Sequence, residues 1–423
     1  MKIGKSKFIN YLFYLEVVIT LIMIFITNII VKSANFYVYA LFAIEIAVIA
    51  TPFLLYGEKL KLKKNEILFV VVFVASQCIS FLWFNLTYNI GGFDIHKAIL
   101  FAGMVVANYF VANKIDCNYN TFEKMIDFFI VSGIVACVFN LIVNSHYFSL
   151  GNLSVIMHYT WNFKSFFFTR ATYGIYVSVC AIAALYRSEK KGKLGYLLIY
   201  VFLVANVLVT AARAQMLAII GASIIYLSYS KKYRKFVIFG SAILVALLII
   251  IGASYFSESF SNIMNTYSIF FDHSKGGQTD ISTGRFYLWS VALQNNDLFT
   301  FFFGHGLGSK DVFLTINKIS VLNEVVMSFH SGYVDLFFET GIFGLSFLAV
   351  SILGTLKNVK NNCRKDIKHF IFAIFSIWAL VNVADSNMLP YSTDMFTPFA
   401  TFIVVVLPNA IANYEKKLAQ NSY

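Results

Sequence analysis

The sequence predicts an all-α integral membrane protein, and three observations support that fold class. The 423 residues are 59% hydrophobic and only 13% charged, with a mean hydropathy of +0.73, whereas about a quarter of the residues in a soluble domain are charged. The apolar residues form runs of about 20, the length of a helix that crosses a bilayer core. The basic residues gather between alternate runs, as they do in multi-pass membrane proteins.

Twelve apolar runs are candidate transmembrane helices. They cover residues 9–31, 36–56, 66–86, 94–113, 122–143, 166–186, 194–211, 213–229, 236–253, 333–353, 369–388 and 395–413. The first run follows "MKIGKSK", has no small-residue cleavage site and is longer than the core of a signal peptide, so we expect it to remain as a span. The chain then divides into spans 1–9 (1–253), a large outer loop (254–332), and spans 10–12 with a tail (333–423).

The positive charge indicates the orientation of these spans. Seven segments, which include both ends of the chain, hold 24 of the 33 Lys and Arg residues, and twelve spans put all seven on one side. The positive-inside rule makes that side cytoplasmic, with both termini inside. The net charge of +12 is therefore a topology signal, and no nucleic-acid partner is expected. Five scattered cysteines without CxxC spacing indicate neither a disulfide framework nor a metal site.

The run from 194 to 230 tests this topology, because as one helix it would be about 54 Å long. That length exceeds the bilayer core. Both flanks are strongly basic, so the run should fold back as a hairpin. The polar break "TAAR" would then place Arg213 at its outer tip.

The outer loop is expected to contain short helices. In "SFSNIMNTYSIFFDH" the apolar residues recur at helical spacing, which predicts a helix on the membrane surface or over the bundle. A second helix should start after "DISTG", with Arg285 in its first turn and Trp289 following. The glycines of "FFFGHGLGS" predict a turn.

Four basic residues lie where the positive-inside rule does not put surplus charge. Arg170, Arg213 and His330 fall at the outer ends of predicted spans, and Arg285 lies in the outer loop. Arginine forks match phosphate oxygens, and charge held against lipid is costly without a partner. These residues therefore indicate a site for an anionic, lipid-linked ligand. Each also has a structural interpretation. Arg170 and Arg213 could contact headgroups or a carboxylate, Arg285 alone would more often be a solvated loop charge, and His330 could make an interfacial hydrogen bond.

Two acidic residues follow His330 in the span that begins near 333. Asp335 and Glu339 are one helical turn apart and so share a face. They could support His330 or an arginine, but packing into the bundle as structural partners is the more frequent role of such residues.

Several of these motifs together resemble the O-antigen polymerase and ligase superfamily of bacterial membrane glycosyltransferases. The resemblance rests on "STGRFYLW", "FFFGHGLGS" and "FHSGYVDLFFETGIFGL", and on "LVTAARAQ", in which Arg213 aligns with the arginine of a family motif. Two positions depart from the family pattern, because Ser331 replaces the usual Asn and Ala212 stands where Ser is common. These departures concern substrate contacts more than membership.

The resemblance implies a GT-C-like enzyme of the bacterial inner or cytoplasmic membrane. It would polymerise undecaprenyl-diphosphate-linked repeat units into O-antigen, capsular or exopolysaccharide at the outer face. Arg170, Arg213 and Arg285 would bind the diphosphate and stabilise the leaving group, and His330 would position or deprotonate the acceptor hydroxyl. No metal or cofactor is expected. Membrane lipid, a chain-length regulator and a flippase would be the partners.

Three alternatives remain open at this stage. A ligase of the same superfamily would use the same donor with a different acceptor. A lipid-linked oligosaccharide flippase or other transporter would instead line a cavity in the middle of the membrane with its charges. A non-catalytic assembly protein would tolerate replacement of Arg213, Arg285 and His330.

Overall fold

The computed structural model describes residues 18, 22, 64–88, 116–148, 162–210, 212–230, 284–321, 324–386 and 396–421. The predicted spans at 36–56, 94–113 and 236–253 lie outside these residues, as do nearly all of 9–31 and the predicted surface helix in 259–273. Within the described residues the chain is almost entirely helical, and the exception is one hairpin of two-residue strands.

The described residues contain thirteen α-helices and one π-helical turn. The first six are α1 (Lys64–Tyr88), α2 (Tyr119–Val143), α3 (Ser145–Phe148), α4 (Arg170–Lys191), α5 (Leu194–Val209) and α6 (Arg213–Tyr229). Residues 284–325 contain α7 (Arg285–Gln294), α8 (Leu298–Phe303), α9 (Ser309–Ile316) and the antiparallel strands β1 (Ser320–Val321) and β2 (Glu324–Val325). The chain continues with α10 (Gly332–Asn362), α11 (Lys365–Ala384), α12 (Thr397–Thr401), a π-helical turn (Phe402–Val406) and α13 (Leu407–Asn421).

Four helices of the described residues are long and apolar enough to cross a membrane. These are Val71–Tyr88 within α1, α2, α10 and α11. Helix α5 is also apolar but shorter. Helix α4 is more polar, yet it is buried from Thr172 to Ser188 and so forms the centre of the core. The protein is thus a multi-pass, all-α membrane protein.

The long apolar run at 194–230 is broken where the sequence predicts. Helix α5 ends at Val209, and α6 begins at Arg213. The Thr210 side chain bonds back to the Val207 carbonyl (2.7 Å), so it closes the last turn of α5. The two helices contact each other, and both pack on α4.

Helix α4 runs antiparallel to its neighbours α2 and α11. Near its end, the Arg187 guanidinium contacts the Glu123 carboxylate in the first turns of α2, and the Tyr186 hydroxyl reaches the Asp366 carboxylate at the start of α11 (3.4 Å). Before its start, the Ser165 amide bonds to the Asn140 side chain near the end of α2 (3.0 Å). The bundle therefore has two ends, which we call the Arg187 end and the Arg170 end.

Helix α10 is divided by a glycine, although the sequence predicts an uninterrupted span at 333–353. Gly341 has φ +62°, and a Cβ atom there would overlap the Phe302 backbone. Likewise, a Cβ atom on Gly304 would overlap the Glu339 backbone. Only glycine permits this backbone crossing, because both positions combine a positive φ with direct backbone contact.

The glycine turn after α8 satisfies the carbonyl groups that the break in α10 releases. The His305 amide donates to the Phe338 carbonyl (2.9 Å), and the Gly306 amide donates to the Glu339 carbonyl (2.8 Å). On the other side of the turn, the Leu307 amide donates to the Gln77 side chain of α1 (3.2 Å). The predicted turn is confirmed. It lies between α1 and α10, where non-helical backbone is tolerated because protein surrounds it.

Candidate functional site

Three arginines each occupy the first position of a helix. Arg170 begins α4, Arg213 begins α6 and Arg285 begins α7. His330 lies two residues before the start of α10. The helix that begins at Arg285 and carries Trp289 was predicted from the sequence and is confirmed.

The structure brings these four basic residues together. Arg170 lies within electrostatic range of both Arg213 and Arg285. Arg285 also interacts with Arg213, and His330 interacts with Arg285. Residues that are up to 160 positions apart in the sequence thus form one cluster at the Arg170 end of the bundle.

The helix ends add to the positive potential of this cluster. The N-terminus of a helix carries a partial positive charge and several amide groups without an intrahelical partner, so it attracts anions and repels cations. An arginine at such a position is unfavourable unless an anion is also present. Several helix starts with an arginine at the first position therefore favour a bound anion, and phosphate suits such a site.

The residues before three of these helices leave the N-terminal amides without a side-chain cap. Ala212 and Gly284, which precede α6 and α7, have no polar side chain. The Ser331 hydroxyl donates instead to the Asn382 carbonyl (3.2 Å). Helix α4 differs, because Thr169 and Thr172 form a capping box. Amides at the starts of α6 and α7 can therefore take part in ligand binding, whereas the Gly332 amide at the start of α10 donates to the Asp385 carbonyl.

The arginines are half-buried, so each combines contact with protein and access to a ligand. The Arg170 Nη1 atom donates to the Thr210 carbonyl at the end of α5 (3.3 Å), which ties α4 to the break before α6. Loss of hydration lowers the pKa of Arg285, and Asp385 opposes this change. A guanidinium stays protonated in proteins even so, and the arginines provide permanent positive charge.

His330 has an unusual backbone for a non-glycine residue. Its φ is +52°, and its amide donates to the Ser328 hydroxyl (2.9 Å). The side chain is accessible to solvent. The surrounding protein atoms and the positive charge of Arg285 lower the pKa of its imidazole, while Asp385 raises it. A lowered pKa keeps the ring neutral near pH 7, so it can accept a proton.

One acidic residue of the cluster was missed by the sequence analysis. Asp385 follows α11 and interacts with Arg170, Arg285 and His330. Its Oδ2 atom accepts a hydrogen bond from the Gln215 side chain (2.9 Å), and its carbonyl accepts one from the Gly332 amide (3.1 Å). The sequence does contain a signal for this residue, because Asp385 is the one acidic residue in the predicted span at 369–388.

Asp335 and Glu339 are both fully buried and contact residues within 284–325. The Glu339 Oε1 atom accepts a hydrogen bond from the Gly308 amide (3.0 Å), at the end of the glycine turn. The Asp335 carboxylate binds the Lys310 ammonium (3.0 Å) and the Phe329 amide (2.8 Å). Lys310 was not identified from the sequence, where nothing distinguishes it from a solvated loop lysine.

About a third of the chain matches a known family model. Residues 198–349 match the family model described as O-antigen ligase. This match confirms the resemblance to the O-antigen polymerase and ligase superfamily, and it indicates a membrane enzyme of the ligase or polymerase type. The matched range contains Arg213, Arg285 and His330, whereas Arg170 and Asp385 lie outside it. No curated protein matches the chain.

Proposed function

We propose, from the match to the O-antigen ligase family, that this protein is a membrane glycosyltransferase that polymerises undecaprenyl-diphosphate-linked repeat units. The observation that carries the proposal is the cluster of Arg170, Arg213 and Arg285 at three helix starts, beside His330. Such a site suits a diphosphate, since guanidinium groups and helix amides both bind phosphate oxygens.

In the proposed reaction, the acceptor sugar hydroxyl attacks the anomeric carbon of the donor glycan. The bond from that carbon to the diphosphate oxygen breaks, and undecaprenyl diphosphate leaves with the electron pair. His330 takes the proton of the acceptor hydroxyl as the new glycosidic bond forms. The arginines stabilise the negative charge that develops on the leaving group.

A ligase is the second candidate, because the matched family model carries that description. A ligase would bind the same lipid diphosphate donor but would transfer the glycan to a different acceptor. A flippase is less well supported, since the cluster of Arg170, Arg213, Arg285 and His330 lies at one end of the described bundle. The identity of the acceptor distinguishes the polymerase from the ligase.

The membrane orientation that we propose has twelve spans, both termini in the cytoplasm and the cluster at the outer face of the bacterial inner or cytoplasmic membrane. The charges at the Arg187 end support it. Lys190, Lys191, Arg364, Lys365 and Lys368 lie there, as the positive-inside rule expects of a cytoplasmic end. A chain-length regulator and a flippase would act with such a polymerase.

The test is an assay of purified protein with undecaprenyl-diphosphate-linked repeat units, in which chain length is followed by gel electrophoresis. Arg213→Ala and Arg285→Ala should each slow transfer by about 10²- to 10³-fold, the loss typical for removal of a charge-stabilising group. His330→Ala should slow it by about 10²-fold or more. Arg364→Ala is the matched control, because Arg364 is an exposed arginine at the opposite end of α11.

The outcomes separate the candidates. Longer glycans made from repeat units alone support the polymerase, whereas transfer that needs a separate acceptor, such as a lipid A core, supports the ligase. Wild-type rates in Arg213→Ala, Arg285→Ala and His330→Ala, with each variant folded, would show that the cluster is not the active site.

A further inference from the structure

A buried ion pair lies beneath the His330 segment and has no role in the reaction described above. The Lys310 ammonium and the Asp335 carboxylate are 3.0 Å apart, and their side chains are 2% and 0% exposed. Lys310 lies in the first turn of α9, and Asp335 lies in the first turn of α10. The pair therefore joins α9 to the helix that follows His330.

The second oxygen of Asp335 holds the backbone just before His330. The Asp335 Oδ1 atom accepts the Phe329 amide (2.8 Å). The Phe329 carbonyl accepts a hydrogen bond from the indole N–H of Trp289, which lies on α7 (3.0 Å). The Asp335 and Trp289 side chains thus bind the amide and the carbonyl of Phe329. The Phe329 ring is fully buried and packs against Phe338.

The backbone after His330 is bound to Asp335 as well. The Asp335 amide donates to the Ser331 carbonyl (2.8 Å), so Asp335 contacts the residues on both sides of the histidine. His330 has φ +52°, which costs energy for a residue with a Cβ atom and persists only where the surroundings impose it. The bonds from Asp335 and Trp289 are such surroundings.

We propose that Lys310, Asp335 and Trp289 are positioning residues that fix the His330 ring beside Arg285. This inference rests on the proposed function of His330 and extends it to three residues that do not touch the substrate. Asp335 holds the backbone, Lys310 holds the Asp335 carboxylate with Oδ1 directed to the Phe329 amide, and Trp289 holds the Phe329 carbonyl.

The ion pair is better explained by positioning than by stability. Burial of two charges costs about as much as their attraction returns, and apolar pairs of similar size are often equally stable. A buried pair that adds little stability can still fix geometry. Active sites need such geometry, because a misplacement of about 1 Å can slow a reaction by about 10²-fold.

Two double variants test the proposal, and both remove both charges. Lys310→Gln with Asp335→Asn keeps an acceptor oxygen for the Phe329 amide, and the Gln oxygen can accept the new Asn N–H. Lys310→Met with Asp335→Leu fills the same space with apolar atoms and removes that acceptor. Thermal unfolding in detergent measures whether each variant folds.

We expect the Gln and Asn variant to keep kcat within about three-fold of wild type, and the Met and Leu variant to lose about 10²-fold in kcat. The donor KM should stay similar in both, because the arginine cluster is intact. NMR titration with labelled histidine, assigned with His330→Ala, gives a second measurement. In the Met and Leu variant the pKa of His330 should rise towards its ordinary value, as the ring moves away from Arg285.

Equal kcat and equal His330 titration in the two folded double variants would overturn the proposal. Loss of kcat in both variants to the same extent would also overturn it, since the acceptor at position 335 would then make no difference. If His330→Ala is as active as wild type but the His330 titration changes only in the Met and Leu variant, the positioning role holds and the proposed chemistry of His330 fails.

Discussion

Arg170 and Arg187 lie on the same helix, 17 residues apart, so about 26 Å separates them along the axis. Arg187 is 4% exposed, and its Nε and Nη2 atoms each lie 2.7 Å from an oxygen of Asp127, while Nη1 contacts Glu123. It also lies near the helix C-terminus, where positive charge is favourable.

Arg170 has the opposite surroundings. It occupies the helix N-terminus and interacts with Arg213, Arg285 and Asp385. Arg187 therefore lies between carboxylates at a favourable end of the helix, whereas Arg170 lies beside other arginines at an unfavourable end. An arginine between carboxylates stabilises the fold, whereas arginines gathered at helix N-termini repel one another and attract an anionic ligand.

Matched substitutions of the two arginines test this comparison most strongly. Arg170→Met should slow glycan transfer by about 10²- to 10³-fold. Its thermal midpoint should stay the same or rise, because repulsion within the cluster falls. Arg187→Met should instead reduce stability by about 2 to 3 kcal/mol, less than for a fully buried pair because Asp127 is half exposed. Thermal unfolding and turnover per folded molecule measure both.

The comparison fails if Arg170→Met loses stability and Arg187→Met loses turnover. Arg170→Met that unfolds readily, or Arg187→Met that folds normally but turns over slowly, would show that position on the helix does not separate structural from functional arginines. Arg364→Ala serves as the control for both, since Arg364 pairs with Asp366 on the exposed surface.

Asp385→Asn sharpens the comparison by making the cluster still more positive. We expect kcat to fall, by less than about 10²-fold, because Asp385 raises the pKa of His330 and its loss makes the imidazole a weaker base. The donor KM should fall at the same time, because one less carboxylate competes with the diphosphate for the arginines. The hydrogen bond from Gln215 can be kept by the Asn oxygen. A higher donor KM with unchanged kcat would contradict this role of Asp385.

The pH dependence of the reaction should show the smallest effect. Loss of hydration and Arg285 lower the pKa of His330 below its ordinary value of 6.5. Since the neutral ring is the active base, kcat/KM should fall as the pH falls through that lowered pKa, and more than half of the maximal rate should remain at pH 6.5. Asp385→Asn should move the midpoint further down, because Asp385 raises the pKa. An acidic midpoint above 6.5 would contradict the assignment.

The local features of the site could be predicted from the sequence. The helix start at Arg285, the break before Arg213 and the glycine turn all depend on a few neighbouring residues, and all three are confirmed. Asp385, Gln215 and Lys310 were not predicted. Their roles come from contacts with residues 25 to 170 positions away, which no local pattern records.

By itself, the sequence determined that this protein is a helical membrane protein with basic residues out of place, because hydrophobicity and charge act residue by residue against the bilayer. Only the tertiary structure decided which of these charges lie together. It divided α10 at Gly341, set the glycine turn against the break and directed Asp335 to Lys310 and Phe329. These outcomes depend on backbone contacts between distant segments, and such contacts exist only once the helices have packed.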